Sequence, residues 1–167
     1  NLHALNIPEL TIITPAALQT EAERVAQLHR EEGLTVAVIE QEKIFNEFSS
    51  GAPDASAYRR LMKMFYDRAE GNENVRPRYL LLFGDGSYNN RKSMEKLHSP
   101  ECNMLLTYQS KTSIDERESF VIEDYFGFLE DNSGEEIKVD KVCLGIGRFP
   151  ISSIKNARLL VDKLYRY

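Results

Sequence analysis

The Gly84-Asp85-Gly86 turn is the best local candidate for chemistry in this sequence. It follows Tyr79–Phe83, an apolar run typical of a central buried strand. Because ligands of open α/β sheets bind beyond the carboxyl ends of strands, an Asp on this turn could face a ligand. The turn does not follow the first strand and lacks the full Gly-x-Gly-x-x-Gly spacing, which argues against a dinucleotide site. The alternative is that Asp85 only ties the turn to neighbouring backbone amides.

The two cysteines and three histidines offer little nucleophilic or metal chemistry. His98 and Cys102 are four residues apart, but a proline between them interrupts the helix that would bring a base to a thiol. Cys143 lies in an apolar run, which favours a small buried thiol over a disulfide. His29 is placed at the boundary of a helix stripe, and no zinc-ligand spacing occurs. No residue is assigned a catalytic, cofactor-binding or metal-binding role.

The segment from Asp131 to Glu136 faintly resembles a calcium loop. Counted from Asp131, the twelfth position is Val142 instead of Glu, and glycine is not at the sixth position. A solvated turn between two strands is the favoured interpretation. A looser calcium site built from oxygen ligands stays open.

Alternating strands and helices must position these candidates. Apolar, partly β-branched runs predict strands, and residues at helical spacing predict amphipathic helices between them. The first strand-helix-strand unit should have parallel strands and a right-handed crossover. We therefore predict one α/β domain over 1–167, a three-layer sandwich on a mainly parallel, Rossmann-like sheet of about four strands. The predicted strands lie near 10–13, 35–39, 79–83 and 142–148, and the predicted helices begin near Ala16, Asp54 and Ser152.

The stretch from Ser87 to Glu123 breaks this pattern. It is polar and irregular apart from a strand candidate at Met104 to Tyr108, and such a long excursion usually faces a ligand or partner. A β-hairpin is predicted next, from 125–129 through the turn 131–134 to 135–139. The excursion and hairpin carry six aromatic residues, about half of which we expect to be exposed as an interface. These are Tyr88, Tyr108, Phe120, Tyr125, Phe126 and Phe128.

Composition excludes several classes of function. The chain has 167 residues, a formal net charge of −5 and 42% hydrophobic residues, which is a globular composition that needs no metal or disulfide. The acidic balance argues against nucleic-acid binding, and no apolar run is long enough to insert into a membrane. The chain starts at Asn1, and its last helical pattern still runs at Tyr167, so we expect a piece of something larger.

Five segments in a fixed order resemble the gingipain family of cysteine peptidases, and the resemblance covers nearly the whole chain from Leu10 to Tyr167. The segments are Leu28–Val36, Ile44–Asp54, Tyr79–Tyr88, Asp124–Gly127 and Gly145–Pro150.

The resemblance implies a caspase-like peptidase whose catalytic unit has two α/β subdomains. In that family the second subdomain supplies the nucleophilic Cys and a His in a Gly-His-Gly setting. No Gly-His-Gly occurs here, and neither Cys102 nor Cys143 stands in such a context. The chain therefore resembles the N-terminal subdomain alone, which would pack against the catalytic subdomain of the same parent chain.

Within the family, the segments are most similar to peptidases that remove C-terminal sorting signals from cargo of the type IX secretion system of Bacteroidetes. That similarity implies protein substrates and an extracytoplasmic, outer-membrane or cell-surface location. The alternative to a peptidase subdomain is a freestanding α/β binding module of the receiver or flavodoxin type.

Overall fold

Four parallel strands form one sheet at the centre of the molecule. The structure is a computed structural model that describes residues 1–95, 102–110, 114–115, 117–136, 139–151 and 153–166, with 92–94 described as backbone only. The strand order is β2-β1-β3-β4, and every neighbouring pair is parallel. This confirms the predicted fold class. The strands are Leu10–Thr14 (β1), Val36–Glu40 (β2), Tyr79–Phe83 (β3) and Gly145–Phe149 (β4).

Helices cover both faces of the sheet, as parallel sheets require. One face carries the helices that follow β1 and β4, and the other carries the helices between β2 and β3. Ser153 begins the last helix, because its hydroxyl accepts the N–H of Asn156 at 3.1 Å. The helices are Gln19–Glu31 (α1), Gln41–Phe48 (α2), Ser56–Arg68 (α3), Asn90–Glu95 (α4) and Ile154–Leu164 (α5), with 3-10 turns at Leu2–Ala4, Ala16–Leu18 and Asp124–Gly127.

The α1/α5 face is held by packing and by a group of ion pairs and hydrogen bonds, here called the clasp. Glu21 on α1 is almost fully buried and accepts a hydrogen bond from Arg24 at 2.7 Å. Arg24 also donates to Asp162 on α5 at 2.7 Å, and the Tyr165 hydroxyl donates to the Arg24 carbonyl. Because a buried carboxylate must be paired, this clasp fixes α5 beside α1.

The α2/α3 face holds the larger aromatic core. The inward stripe of α3 is buried as its helical spacing predicts, and Tyr58 on it packs against Phe45 and Phe126. Side chains that come after the excursion complete this core. They are Tyr125, Phe126, Phe128 and Leu129.

The predicted hairpin is wrong in its first strand. The segment Asp124–Gly127 is a 3-10 helix, and Phe126 and Phe128 are both buried in the same cluster. A Cβ on Gly127 would lie 2.8 Å from Val142 Cγ1, so this turn needs glycine to approach the chain before β4. The predicted return strand includes Ile137, which lies outside the described residues.

Three further details differ from the sequence prediction. The segment from Met104 to Tyr108 is not a strand and forms only a single bridge, between Met104 and Asp85. The predicted last strand begins at Gly145 instead of 142. The last helix ends at Leu164, where the N–H of Tyr165 bonds to the Val161 carbonyl, and Tyr167 is outside the described residues.

Leu61 and Leu159 give a matched test of this packing. Leu61 on α3 is fully buried, whereas Leu159 on α5 is 59% exposed. We expect Leu61→Ala to lower the free energy of unfolding by about 2–5 kcal/mol, because it leaves a cavity. Leu159→Ala should change it by less than about 0.5 kcal/mol. Urea unfolding followed by circular dichroism measures both, and equal losses would contradict the layer assignment.

Candidate functional site

The Gly84-Asp85-Gly86 turn lies at the carboxyl end of β3, and Asp85 is engaged by the chain itself. Its N–H donates to the Asn103 carbonyl at 2.7 Å, and its carbonyl accepts the N–H of Leu105 at 2.8 Å. Its carboxylate Oδ1 accepts the N–H of Gly86 at 2.9 Å. The structure therefore favours the alternative interpretation, in which Asp85 ties the turn to backbone amides.

The two glycines of this turn allow neighbouring parts of the chain to approach it closely. A Cβ on Gly84 would lie 3.0 Å from both the Asn103 oxygen and Leu105 Cγ. A Cβ on Gly86 would lie 2.9 Å from Thr107 Cγ2 and 3.2 Å from Arg148 Cζ. The space next to the turn is filled by the segment from Cys102 to Thr107, which we call the edge segment.

The edge segment crosses the carboxyl edge of the sheet. Asp85, directly after β3, pairs with Asn103 and Leu105, while Gln41, directly after β2, donates to the Met104 carbonyl at 2.8 Å. The segment therefore spans the end of β1, which lies between β2 and β3. In a doubly wound sheet the gap between β1 and β3 is the usual ligand crevice. Here that crevice is occupied by the protein.

Arg148 on β4 joins three parts of this edge. Its guanidinium donates to the carbonyls of Gly84 at 3.2 Å, Asp85 at 3.1 Å and Leu106 at 3.3 Å. It also forms a two-point hydrogen bond with the Glu123 carboxylate, at 3.0 and 3.1 Å. Only 12% of the Arg148 side chain is exposed. A planar guanidinium suits this task because it carries five donors in one fork.

Burial raises the pKa of the Glu123 carboxyl above its ordinary value. Arg148 opposes this shift, whereas the neighbouring Asp124 adds to it. The side chain of Glu123 is 28% exposed, so loss of hydration is the leading cause.

A second polar network anchors the edge segment from below. The Tyr58 hydroxyl is fully buried, accepts the N–H of Leu106 at 3.3 Å and donates to Gln41 Oε1 at 2.7 Å. Burial raises the pKa of Tyr58 above its ordinary value, which keeps the hydroxyl protonated as a donor. Because Gln41 in turn donates to Met104, the network is satisfied at each of these atoms.

Asparagine side chains also hold the edge segment, Asn90 from outside it and Asn103 from within it. Asn90 donates to the Thr107 carbonyl at 2.7 Å and accepts the Thr107 N–H at 3.1 Å, as a neighbouring strand would. Asn103 donates to the Ile151 carbonyl at 2.6 Å. Asp85 pairs with the segment through its backbone, whereas side chains supply the partners at Met104, Leu106 and Thr107, so the segment does not continue as a strand.

The cysteines and the described histidines lie in the core or in contacts with neighbouring side chains. Cys102 is buried and Cys143 is half-buried. His29 pairs with Glu32 at 2.8 Å, and His3 stacks on Phe48 with ring centroids 4.9 Å apart. His98 lies outside the described residues, so a pair with Cys102 stays untested.

Cationic side chains of α3 occupy the oxygens of the segment that resembles a calcium loop. Arg59 donates to the carbonyls of Phe128 and Ser133, and Lys63 donates to the Asp131 carboxylate at 2.9 Å. Within the described residues there is no cluster of three His, Cys, Asp or Glu side chains that could hold a metal ion. Calcium binding here stays a prediction, which calcium titration of the chain would test.

The whole described chain matches one protein family. The model of peptidase family C25 matches residues 3–167. The chain belongs to peptidase family C25. This is the cysteine-peptidase family of the gingipains, so the resemblance read from five segments is confirmed.

Solved structures extend this result. The chain is similar to dimeric latent PorU from Porphyromonas gingivalis, with 44% identity and a TM-score of 0.86 over 100% of this chain. It spans 16% of that PorU chain. A second structure, described as a protease, is 13% identical with a TM-score of 0.64, covers 95% of this chain and 27% of its own, and shows the fold alone. The comparison with curated proteins gave no match.

No helix among the described residues of this C25 chain is long and apolar enough to cross a membrane. Sequence reasoning found the Gly84-Asp85-Gly86 turn but missed Arg148, which binds the turn, and Tyr58, which binds the edge segment. The available signal for Arg148 was a single charge inside the otherwise uncharged run Gly145–Phe149. Tyr58 carried no such signal, because an inward stripe residue of α3 is expected to be core.

Tyr58→Phe tests the buried network. The substitution keeps the ring but leaves the Leu106 N–H and Gln41 Oε1 without a partner, so we expect a loss of about 1–3 kcal/mol in the free energy of unfolding. Tyr88→Phe is the control, because Tyr88 is 78% exposed. Urea unfolding of the two variants gives the comparison. A Tyr58→Phe variant as stable as Tyr88→Phe would contradict the anchoring role.

Glu123→Gln tests the raised pKa. A carboxyl whose pKa is raised by folding stabilises the folded chain fully below its unfolded pKa, near the ordinary value of 4.5, and loses that contribution as pH rises through the folded pKa. We therefore expect the wild-type unfolding free energy, minus that of Glu123→Gln, to fall as pH rises from about 4.5. Unfolding measured from pH 4 to 8 checks the slope, and a rising difference would contradict it.

Proposed function

We propose that this chain is the non-catalytic N-terminal subdomain of a gingipain-like cysteine endopeptidase. The observation that carries the proposal is the similarity to PorU over the whole chain, which nevertheless spans only 16% of PorU. The surroundings of the two cysteines support it, since Cys102 is buried and Cys143 is half-buried just before β4. A reactive thiol needs an accessible, electropositive setting. The nucleophile would then come from the catalytic subdomain of the same parent chain.

We further propose that the parent peptidase processes the C-terminal sorting signals of type IX secretion cargo. The support is the similarity to PorU and the five matching sequence segments. Its protein substrates and an extracytoplasmic, outer-membrane or cell-surface location follow from the same proposal.

The excursion supports a role in contacting another part of the peptidase. Of the six aromatic residues in the excursion and the predicted hairpin, Tyr88 and Phe120 are exposed and Tyr108 is half-buried, whereas Tyr125, Phe126 and Phe128 are buried. Not all six are therefore core. A short antiparallel ribbon, with the Ser110 N–H bonded to the Phe120 carbonyl at 3.0 Å, presents Phe120 to solvent. Ile114, near its tip, is 97% exposed.

The alternative, a freestanding receiver or flavodoxin-type module, is less well supported. Such a module would bind its ligand at the carboxyl edge between β1 and β3. In this chain the edge segment, fixed by Gln41, Asp85 and Arg148, occupies that position.

Peptidase assays test the proposal directly. The 167-residue chain should not cleave Arg, Lys or sorting-signal peptide substrates, whereas the full-length protein should, because the chain lacks a nucleophile with its base. Cys102→Ala and Cys143→Ala in the full-length protein should retain activity. Cleavage by the isolated chain that disappears in either variant would overturn the proposal.

A further inference from the structure

An apolar groove lies on the α1/α5 face, beside β4. Its volume is about 520 Å³, and its floor is formed by the first halves of β3 and β4. Helix α5 is held beside α1 by the hydrogen bond between Arg24 and Asp162. The lining includes Leu10, Leu34, Tyr79, Leu81, Gly145 and Gly147.

On this face of β4, Gly145 and Gly147 carry no side chain, whereas Phe149 does. A Cβ on Gly145 would lie 3.2 Å from Tyr79 Cδ1, so the open space is at Gly147. Gly145 and Gly147 pair with Tyr79 and Leu81 in the register of the two strands, and both glycines are exposed. Nothing lies within 4 Å of where a Cβ on Gly147 would be, and its φ is not in the left-handed region. Glycine is therefore not required at 147 by the fold of this chain, and the space in front of it is open to an incoming side chain.

β4 is also an open edge of the sheet. The N–H of Gly145 bonds to Arg78 and the carbonyl of Phe149 accepts from Gly84, both on the β3 side. The alternation of a strand then directs the backbone groups of Ile146 and Arg148 outward. An edge of this kind is a template for another strand unless it is protected.

The opposite edge of the sheet is protected differently. On β2, the outward carbonyl of Val36 accepts a hydrogen bond from the Arg30 guanidinium at 3.1 Å. Among the described residues no side chain does the same for Ile146 on β4. In the described part of the chain, a side chain thus binds an outward carbonyl on the β2 edge but not on the β4 edge. The β4 edge is therefore the one available for pairing.

We infer that the β4 edge and its groove bind an extended segment of the rest of the peptidase, which adds a strand beside β4 and places apolar side chains over Gly145 and Gly147. The inference rests on the proposed function. PorU, to which this chain is similar, is far longer, since the chain spans 16% of it, and a tethered segment binds at high effective concentration.

A second copy of this chain fits the groove less well. Two β4 edges related by a two-fold axis would meet with the same residues on both sides. A five-residue pairing alone falls short of the roughly 1,000 Å² that a stable interface buries, whereas a tethered segment does not depend on that area.

Amide hydrogen exchange in the full-length protein tests the inference. We expect the Ile146 and Arg148 amides to exchange at least about 100-fold more slowly there than in the 167-residue chain, because pairing protects an edge amide. Equal rates would overturn the inference. Protection in the isolated chain that grows with its concentration, or in the full-length protein only after a sorting-signal peptide is added, would overturn it in favour of another occupant.

Two matched variants of the full-length protein make the test independent of the isolated chain. Gly147→Glu places a charge in the groove, where this chain has room for it, and should abolish the protection. Leu159→Glu places the same charge on the exposed surface of α5 and should leave it intact. Protection that survives Gly147→Glu would overturn the inference. Peptidase activity in the isolated chain would instead reject the proposed function, so the two failures are distinguishable.

Discussion

The guanidinium of Arg148 holds together parts of the chain that are distant in sequence. It contacts the turn after β3, the edge segment and Glu123, and it is almost fully buried among them. The ends of parallel strands leave carbonyl groups that need donors, and one Arg can satisfy several at once. The Glu123 carboxylate offsets the cost of burying the Arg148 charge. Loss of Glu123 would therefore leave a buried charge without a counter-ion.

This constraint changes what the sheet can do. Doubly wound domains use the carboxyl edge for ligands because backbone groups and loops there are free to bind them. In this chain Arg148, Tyr58 and Asn90 use those groups to fix the edge segment. The domain therefore keeps a familiar architecture while the position usually used for binding has become part of its core.

The fold could be predicted further than the site. Strand positions followed from apolar runs such as Tyr79–Phe83, because such a run can be read from local composition alone. The false hairpin arose because Phe126 and Phe128 alternate as in a strand, although a tertiary contact through Gly127 decides their conformation. The contacts of Asp85 with Asn103 and of Arg148 with Glu123 join residues 18 or more positions apart, and no spacing rule reveals such pairs.

The glycines that follow β3 and the glycine at 147 in β4 have different surroundings. The space next to Gly84 and Gly86 is filled, because neighbouring atoms lie about 3 Å from where their Cβ atoms would be. Gly147, with no atom within 4 Å, is not. A glycine that the domain itself does not need is best explained by a contact made outside it. The carboxyl edge is thus closed by internal bonds, whereas the β4 edge has outward backbone groups and a groove, the two features from which the proposed contact is inferred.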